Sequence, residues 1–185
     1  MDMIISDEDV KCSNGSVLSA DLYAGEYYDA NKQIKNWNCA DFMDSGWISC
    51  MEANYGYESL VSQIGEPVMI VNELPVSRLT KSPKGEWILD FGQNIAGYVK
   101  LSVKGEKGAK CRMVCGEKLD TNGNFTVENI AWKANYDTCR FQSVDFVCDG
   151  VRHDYKPKFT IMGFRYVLLL DWPEDVDAGR FSAIA

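Results

Sequence analysis

Three acidic residues near one another in sequence, Glu117, Asp120 and Glu128, are the first candidates for chemistry, because an acid and a second carboxylate at a fixed separation can cleave an acetal. Each falls at a strand end or in a turn, where acidic side chains are ordinarily solvated, so the sequence favours a surface role over a catalytic one. Asp120, Asn122 and Asn124 copy the opening of an EF-hand loop, but the sixth position is Phe125, where glycine is required, and the twelfth is Ala131, where a bidentate glutamate is required. A hairpin turn accounts for them better, since Asn122-Gly123 tolerates the positive φ of tight turns. His153 is the sole histidine, so any Ser/His/Asp or Cys/His system must use it; it reads as a surface residue in a turn. Gly92, Gly97 and Gly105 lack the spacing of a phosphate-binding loop.

Sulphur and aromatic rings are the remaining chemical resources. The seven cysteines, at 12, 39, 50, 111, 115, 139 and 148, form no CxxC pair and have no histidine at zinc spacing. Cys111 and Cys115 would share one face of a strand ~13 Å apart at ~3.3 Å per residue, too far for a disulfide. They are expected to be reduced packing residues, which points to a cytoplasmic setting over a secreted one. Tyr23, Tyr27, Tyr28, Trp37, Trp47, Tyr55 and Tyr57 crowd the first third of the chain. Flat rings flanked by polar groups are how proteins grip the apolar faces of sugars, and they are equally how sandwiches fill their cores; Trp47, behind a turn-like Asp-Ser-Gly, is expected in the core.

The elements that must position these groups are strands. From about residue 85 onward, short alternating runs are broken by turn residues: Tyr98 to Val103, Lys110 to Cys115, Asp137 to Gln142, Val144 to Cys148, Asp154 to Thr160, Phe164 to Leu170 and Arg180 to Ile184. No long amphipathic helix interrupts them, so the expected fold class is all-β, an antiparallel β-sandwich. The first 80 residues are less regular, with strand-like pieces at Val17 to Tyr23 and Val68 to Val71, and residues 77–86 read as a linker. With 46% hydrophobic residues over 185 positions there is material for one core or two small ones. A formal charge of -8 removes the basic footprint that nucleic acid or an anionic membrane would need. No apolar run approaches the ~20 residues of a membrane-spanning helix.

Several blocks together resemble one family. Trp87-Ile-Leu-Asp-Phe-Gly-Gln-Asn-Ile-Ala-Gly97 resembles the DFGQN-hydrophobic-x-G signature in the β-sandwich domain of bacterial α-L-rhamnosidases. The rest follow in family order: Gly116-Glu-Lys-Leu-Asp-Thr-Asn-Gly-Asn124, Glu128-Asn-Ile130, Asp137-Thr-Cys139, and Tyr155-Lys-Pro-Lys-Phe-Thr-Ile-Met-Gly-Phe-Arg-Tyr-Val167. Upstream, Ser19 to Ala30 with its Gly-Glu-Tyr-Tyr-Asp-Ala core, Trp37 and Asp41-Phe-Met-Asp-Ser-Gly-Trp47 resemble the family's amino-terminal module.

The resemblance implies residues 1–80 as a partial amino-terminal, carbohydrate-binding-like module and residues 81–185 as the jelly-roll, concanavalin-like sandwich domain. It implies a non-catalytic fragment of a glycoside hydrolase whose partner is the helical catalytic barrel of the same parent chain, with rhamnose-containing glycans as a second partner. The alternative function is an autonomous module for L-rhamnose-containing glycans. Its carbohydrate-binding residues would be Tyr23, Glu26, Tyr28, Asp29 and Trp37. No cofactor is expected: some members bind rhamnose through calcium near Tyr23 to Glu26, but Ala24-Gly25 stands where ligand oxygens would be needed.

Overall fold

A computed structural model of the protein describes residues 5, 7–53, 56, 58–130 and 141–185. Its strands are β1 (Lys11–Cys12), β2 (Val17–Asp21), β3 (Gly25–Asp29), β4 (Ile48–Ser49), β5 (Glu73–Pro75), β6 (Arg78–Lys81), β7 (Trp87–Val103), β8 (Lys110–Gly116), β9 (Lys118–Leu119), β10 (Phe125–Thr126), β11 (Ser143–Val147), β12 (His153–Tyr155), β13 (Met162–Leu170) and β14 (Phe181–Ile184). Only short 3-10 turns accompany them among the described residues, so the all-β reading holds.

The chain forms two compact units, Met1–Gly15 with Ile34–Met69, and Ser16–Gln33 with Ile70–Ala185. In the smaller, β1 and β4 pair antiparallel with Lys11 opposite Ser49, and Trp47 is half-buried, edge-on to Phe42 at 5.6 Å.

The larger unit is a sandwich built around β7. Its first half pairs with β6 and β13, and its second half with β12 and β14, so one strand serves both layers. Alternation explains the burial: Leu89, Phe91, Ile95, Val99, Leu101 and Val103 all point inward, as do Cys111, Met113 and Cys115 of β8. Each large apolar side chain so buried contributes on the order of 1.5–3 kcal/mol. The first layer runs β2-β3-β11-β8-β13-β7, antiparallel except between β3 and β11, where Gly25 to Asp29 lie parallel to Ser143 to Val147.

Several local expectations change. Residues 77–86 are not a free linker, because Arg78–Lys81 pair with Trp87–Asp90. Val68 to Val71 form no strand and are exposed. The run from Asp154 stops at Tyr155, since the amides beyond it bond a side chain instead of a neighbouring strand. Of the strand expected at Asp137 to Gln142, residues 137–140 lie outside the described residues, as do Tyr55 and Tyr57, and Phe141 and Gln142 stand just before β11.

Candidate functional site

The Gly-Glu-Tyr-Tyr-Asp block is β3, and its alternation sorts the candidate residues into separate roles. Glu26 points inward and is 1% exposed. Its carboxylate accepts from the Tyr155 hydroxyl, and from the backbone N–H of Lys158 at 3.1 Å and of Phe159 at 3.0 Å. Burial first, and the adjacent Glu26 carboxylate second, push the Tyr155 phenol well above its ordinary range, so it stays a donor. Tyr28 shares this pocket, with ring centroids 5.3 Å from Phe146 and 4.4 Å from Tyr155. Asp29 caps the next turn, accepting from the Asn31 amide N–H at 3.0 Å, while Asn31 Nδ2 donates to the Cys148 carbonyl.

Tyr23 and Trp37 are different: they are 72% and 61% exposed, and they belong to different compact units. The loop from Tyr23 to Glu26 does not fit a calcium ion. Asp21 Oδ1 accepts from the Tyr23 and Ala24 amides at 2.9 and 2.7 Å, Glu26 is filled by donors, and the Ala24 carbonyl accepts from the Ser143 amide at 3.0 Å. Gly25 has φ +113°, and a Cβ there would meet the Ser143 carbonyl oxygen at 1.8 Å, which is why this position admits only glycine.

The Asp-Phe-Gly-Gln-Asn signature is a bulge. Across it, Phe164 of β13 lies opposite Ile95 of β7, while Tyr166 lies opposite Asp90, so the β7 segment between them arches away from the ladder. Gly92 makes the turn at φ +81°, donating its N–H to Asp90 Oδ1 at 2.7 Å. Asp90 is in turn gripped by Arg165 through Nε at 2.9 Å and Nη2 at 3.1 Å. The two family-like blocks therefore recognise each other, and the arch leaves Gln93 and Asn94 exposed. Asn94 Nδ2 reaches Glu117 Oε1 at 3.5 Å, and Asn129 Nδ2 reaches Glu117 Oε2 at 2.8 Å. Sequence reasoning identified the motif but not the ion pair; an aspartate and an arginine in separate intact blocks were the available signal.

The other candidates have structural partners. Asp120 accepts from the amides of Asn124 and Asn122 at 2.8 Å each, and those bonds hold its carboxyl below the usual range. This closes the turn between β9 and β10, with Gly123 at φ +84°. His153 is not in a turn: it opens β12, half-buried, its ring 5.6 Å from Phe146 and its Nε2 2.9 Å from Asp149 Oδ1. Cys111, Cys115 and Cys148 are buried free thiols, and burial pushes the first two far above the ordinary thiol range.

Comparison with known proteins agrees along the whole length. The family model for the bacterial alpha-L-rhamnosidase concanavalin-like domain matches residues 80–185, and that for the alpha-L-rhamnosidase N-terminal domain matches residues 1–72. An alpha-L-rhamnosidase of Streptomyces avermitilis is 34% identical over 92% of this chain and 16% of its own length. One from Formosa agariphila is 30% identical over 97% of this chain and 19% of its own. Among solved structures, the native enzyme from Aspergillus terreus superposes with a TM-score of 0.87 at 32% identity, covering 98% of this chain and 20% of that one. The enzyme from Dictyoglumus thermophilum superposes at 0.88 with 29% identity and the same two coverages. The chain thus spans about a fifth or less of the proteins it matches.

Proposed function

Because the chain belongs to the bacterial α-L-rhamnosidase family, we propose that it is a non-catalytic sandwich region that braces the helical catalytic barrel of a longer α-L-rhamnosidase and contacts rhamnose-containing glycans. The observation that carries this reading is how the acidic groups are used. Glu26, Asp90 and Glu174 are each held by donors or cations of the fold, which leaves them poor candidates for moving a proton to a glycosidic oxygen. The signature bulge, by contrast, turns Gln93 and Asn94 outward from a base fixed by the Asp90–Arg165 pair, a rigid polar surface suited to a neighbouring domain. The six described cysteines are free thiols, which supports a reducing compartment for the parent protein.

The test is an aryl α-L-rhamnoside assay on the 185-residue chain together with a binding measurement against the separately produced catalytic barrel. Hydrolysis no faster than buffer and saturable association with the barrel are expected. Turnover by the chain alone, or no association, overturns the reading. The exposure of Tyr23 and Trp37 favours a second reading, an autonomous glycan module, in which calorimetry with L-rhamnose gives a millimolar dissociation constant that weakens in Trp37→Ala.

A further inference from the structure

The smaller unit brings two cysteines onto one face of its β1–β4 ladder. Lys11 lies opposite Ser49 and Cys12 opposite Ile48, and the Cys50 amide donates to the Val10 carbonyl at 2.7 Å, so Val10 and Cys50 form the next rung. Side chains alternate along a strand, which leaves Cys12 and Cys50 as diagonal neighbours on the same face. They interact: after burial, the Cys12 thiol is what pushes the Cys50 thiol up. Both are free thiols, Cys12 exposed and Cys50 half-buried. None of the described residues of this unit is buried. Its two chain segments, Met1–Gly15 and Ile34–Met69, are joined by the β1–β4 ladder and by the exposed ion pair of Lys11 with Asp44 at 2.9 Å. An exposed pair contributes little, and a small unit without a buried core ordinarily depends on a covalent or metal cross-link.

We propose that Cys12 and Cys50 form a reversible redox modification site, closed into a disulfide by a small-molecule disulfide and opened again by small thiols. Cys12, the more exposed, reacts first. Its thiolate bonds to one sulfur of the small disulfide and expels the other as a thiolate, which takes up the proton that Cys12 lost. Cys50 then loses its proton and attacks the Cys12 sulfur, expelling the second small thiolate, which is protonated in turn. Two electrons pass from the protein to the small disulfide, giving one protein disulfide and two small thiols. Geometry makes the bond labile. Diagonal neighbours have Cα atoms about 7–8 Å apart, whereas a relaxed disulfide takes about 4.4–6.8 Å, so closure must shift the strands and the strained bond is easily reduced. β1 and β4 are two residues each, so the shift disturbs few rungs. Cys111 and Cys148 repeat the diagonal placement, since Cys111 faces Phe146 and the Cys148 amide donates to the Ala109 carbonyl at 2.8 Å. Both are buried in the sandwich core, out of reach of a dissolved oxidant, and serve as the internal control.

The experiment treats the full chain with oxidised glutathione and maps its cysteines by mass spectrometry, with chymotryptic cleavage after Trp47 to separate Cys39 from Cys50. A Cys12–Cys50 link that reopens in millimolar reduced glutathione is expected, with Cys111, Cys115 and Cys148 still free. Hydrogen exchange at residues 10–12 and 48–50 is expected to slow about tenfold in the linked form. The treatment leaves exchange unchanged in Cys12→Ser, while Cys39→Ser behaves as the parent sequence does. Should Cys12→Ser not fold, alkylation of Cys12 in the folded chain gives the same control. Cys50→Ser is expected to stop at a mixed disulfide between Cys12 and glutathione. No link, a link through Cys39 instead, oxidation of the buried cysteines at the same rate, a bond that resists reduced glutathione, or exchange indifferent to the link overturns the site. Barrel association and sugar binding do not enter these readouts.

Discussion

Replacing Glu26 isolates the interaction that fastens β3 to the loop after β12. Glu26→Ala leaves the Tyr155 hydroxyl and the Lys158 and Phe159 amides without their acceptor and opens a gap in a region where Glu26 is 1% exposed. A buried donor left unpaired costs about 1–3 kcal/mol, and the two amides are only partly buried, so water recovers some of that loss. The net destabilisation is then about 3–5 kcal/mol, the range found when one partner of a buried charged interaction is removed. A chain of this size loses roughly 2–4 °C of melting temperature per kcal/mol, which gives a drop of about 6–20 °C. Glu26→Gln keeps a carbonyl oxygen for the amides, and its NH2 can donate to a phenol that turns to accept, so about 1–2 kcal/mol is expected. Urea unfolding followed by tryptophan fluorescence reads both variants, and pairing Glu26→Gln with Tyr155→Phe should give a non-additive sum. Glu26→Ala within about 1 kcal/mol of the parent sequence would refute the reasoning, since the carboxylate would then be incidental to the loop.

Gly97 closes the signature, and a Cβ there would sit 1.8 Å from the Ile184 carbonyl oxygen, so Gly97→Ala must part β7 from β14. A loss of about 3 kcal/mol is expected in urea unfolding, against less than about 0.5 kcal/mol for Gly46→Ala, which meets nothing within 4 Å. Glu174 titrates at the acid end. Burial pushes its carboxyl up, but Arg152, the Lys104 amide and Arg180 outweigh that and hold it at about 2 instead of 4.5. A lowered folded-state value stabilises above the unfolded value and fades as pH falls through the folded one. Glu174→Gln should therefore be less stable than the parent at neutral pH, with the difference shrinking between about pH 4.5 and pH 2 in acid-unfolding curves.

The strands that bury one face were legible because alternation is local: β8 and β13 were expected at Lys110 to Cys115 and Phe164 to Leu170 and occur at Lys110–Gly116 and Met162–Leu170. What alternation cannot reveal is pairing at a distance. β6 hid inside a polar stretch because, at four residues, it takes its order from β7. Glu26 read as a ligand for sugars since a lone acidic residue between aromatics carries no mark of the tyrosine 129 positions later that binds it. Tyr27 reads only as one ring among many, because the Asp145 and Arg112 beside it come from β11 and β8, two strands distant from it in sequence.

The parallel pairing of β3 with β11 also orders events during synthesis. Residues 25–29 leave the ribosome long before residues 143–147 exist, and Glu26 must wait for Tyr155, Lys158 and Phe159 as well. At translation speeds of 5–20 residues per second that interval is about 6–26 s, far longer than chain collapse takes. Through it, the Gly-Glu-Tyr-Tyr-Asp strand has β2 on one edge and nothing yet on the other, and its two carboxylates keep that open edge from pairing with the wrong chain.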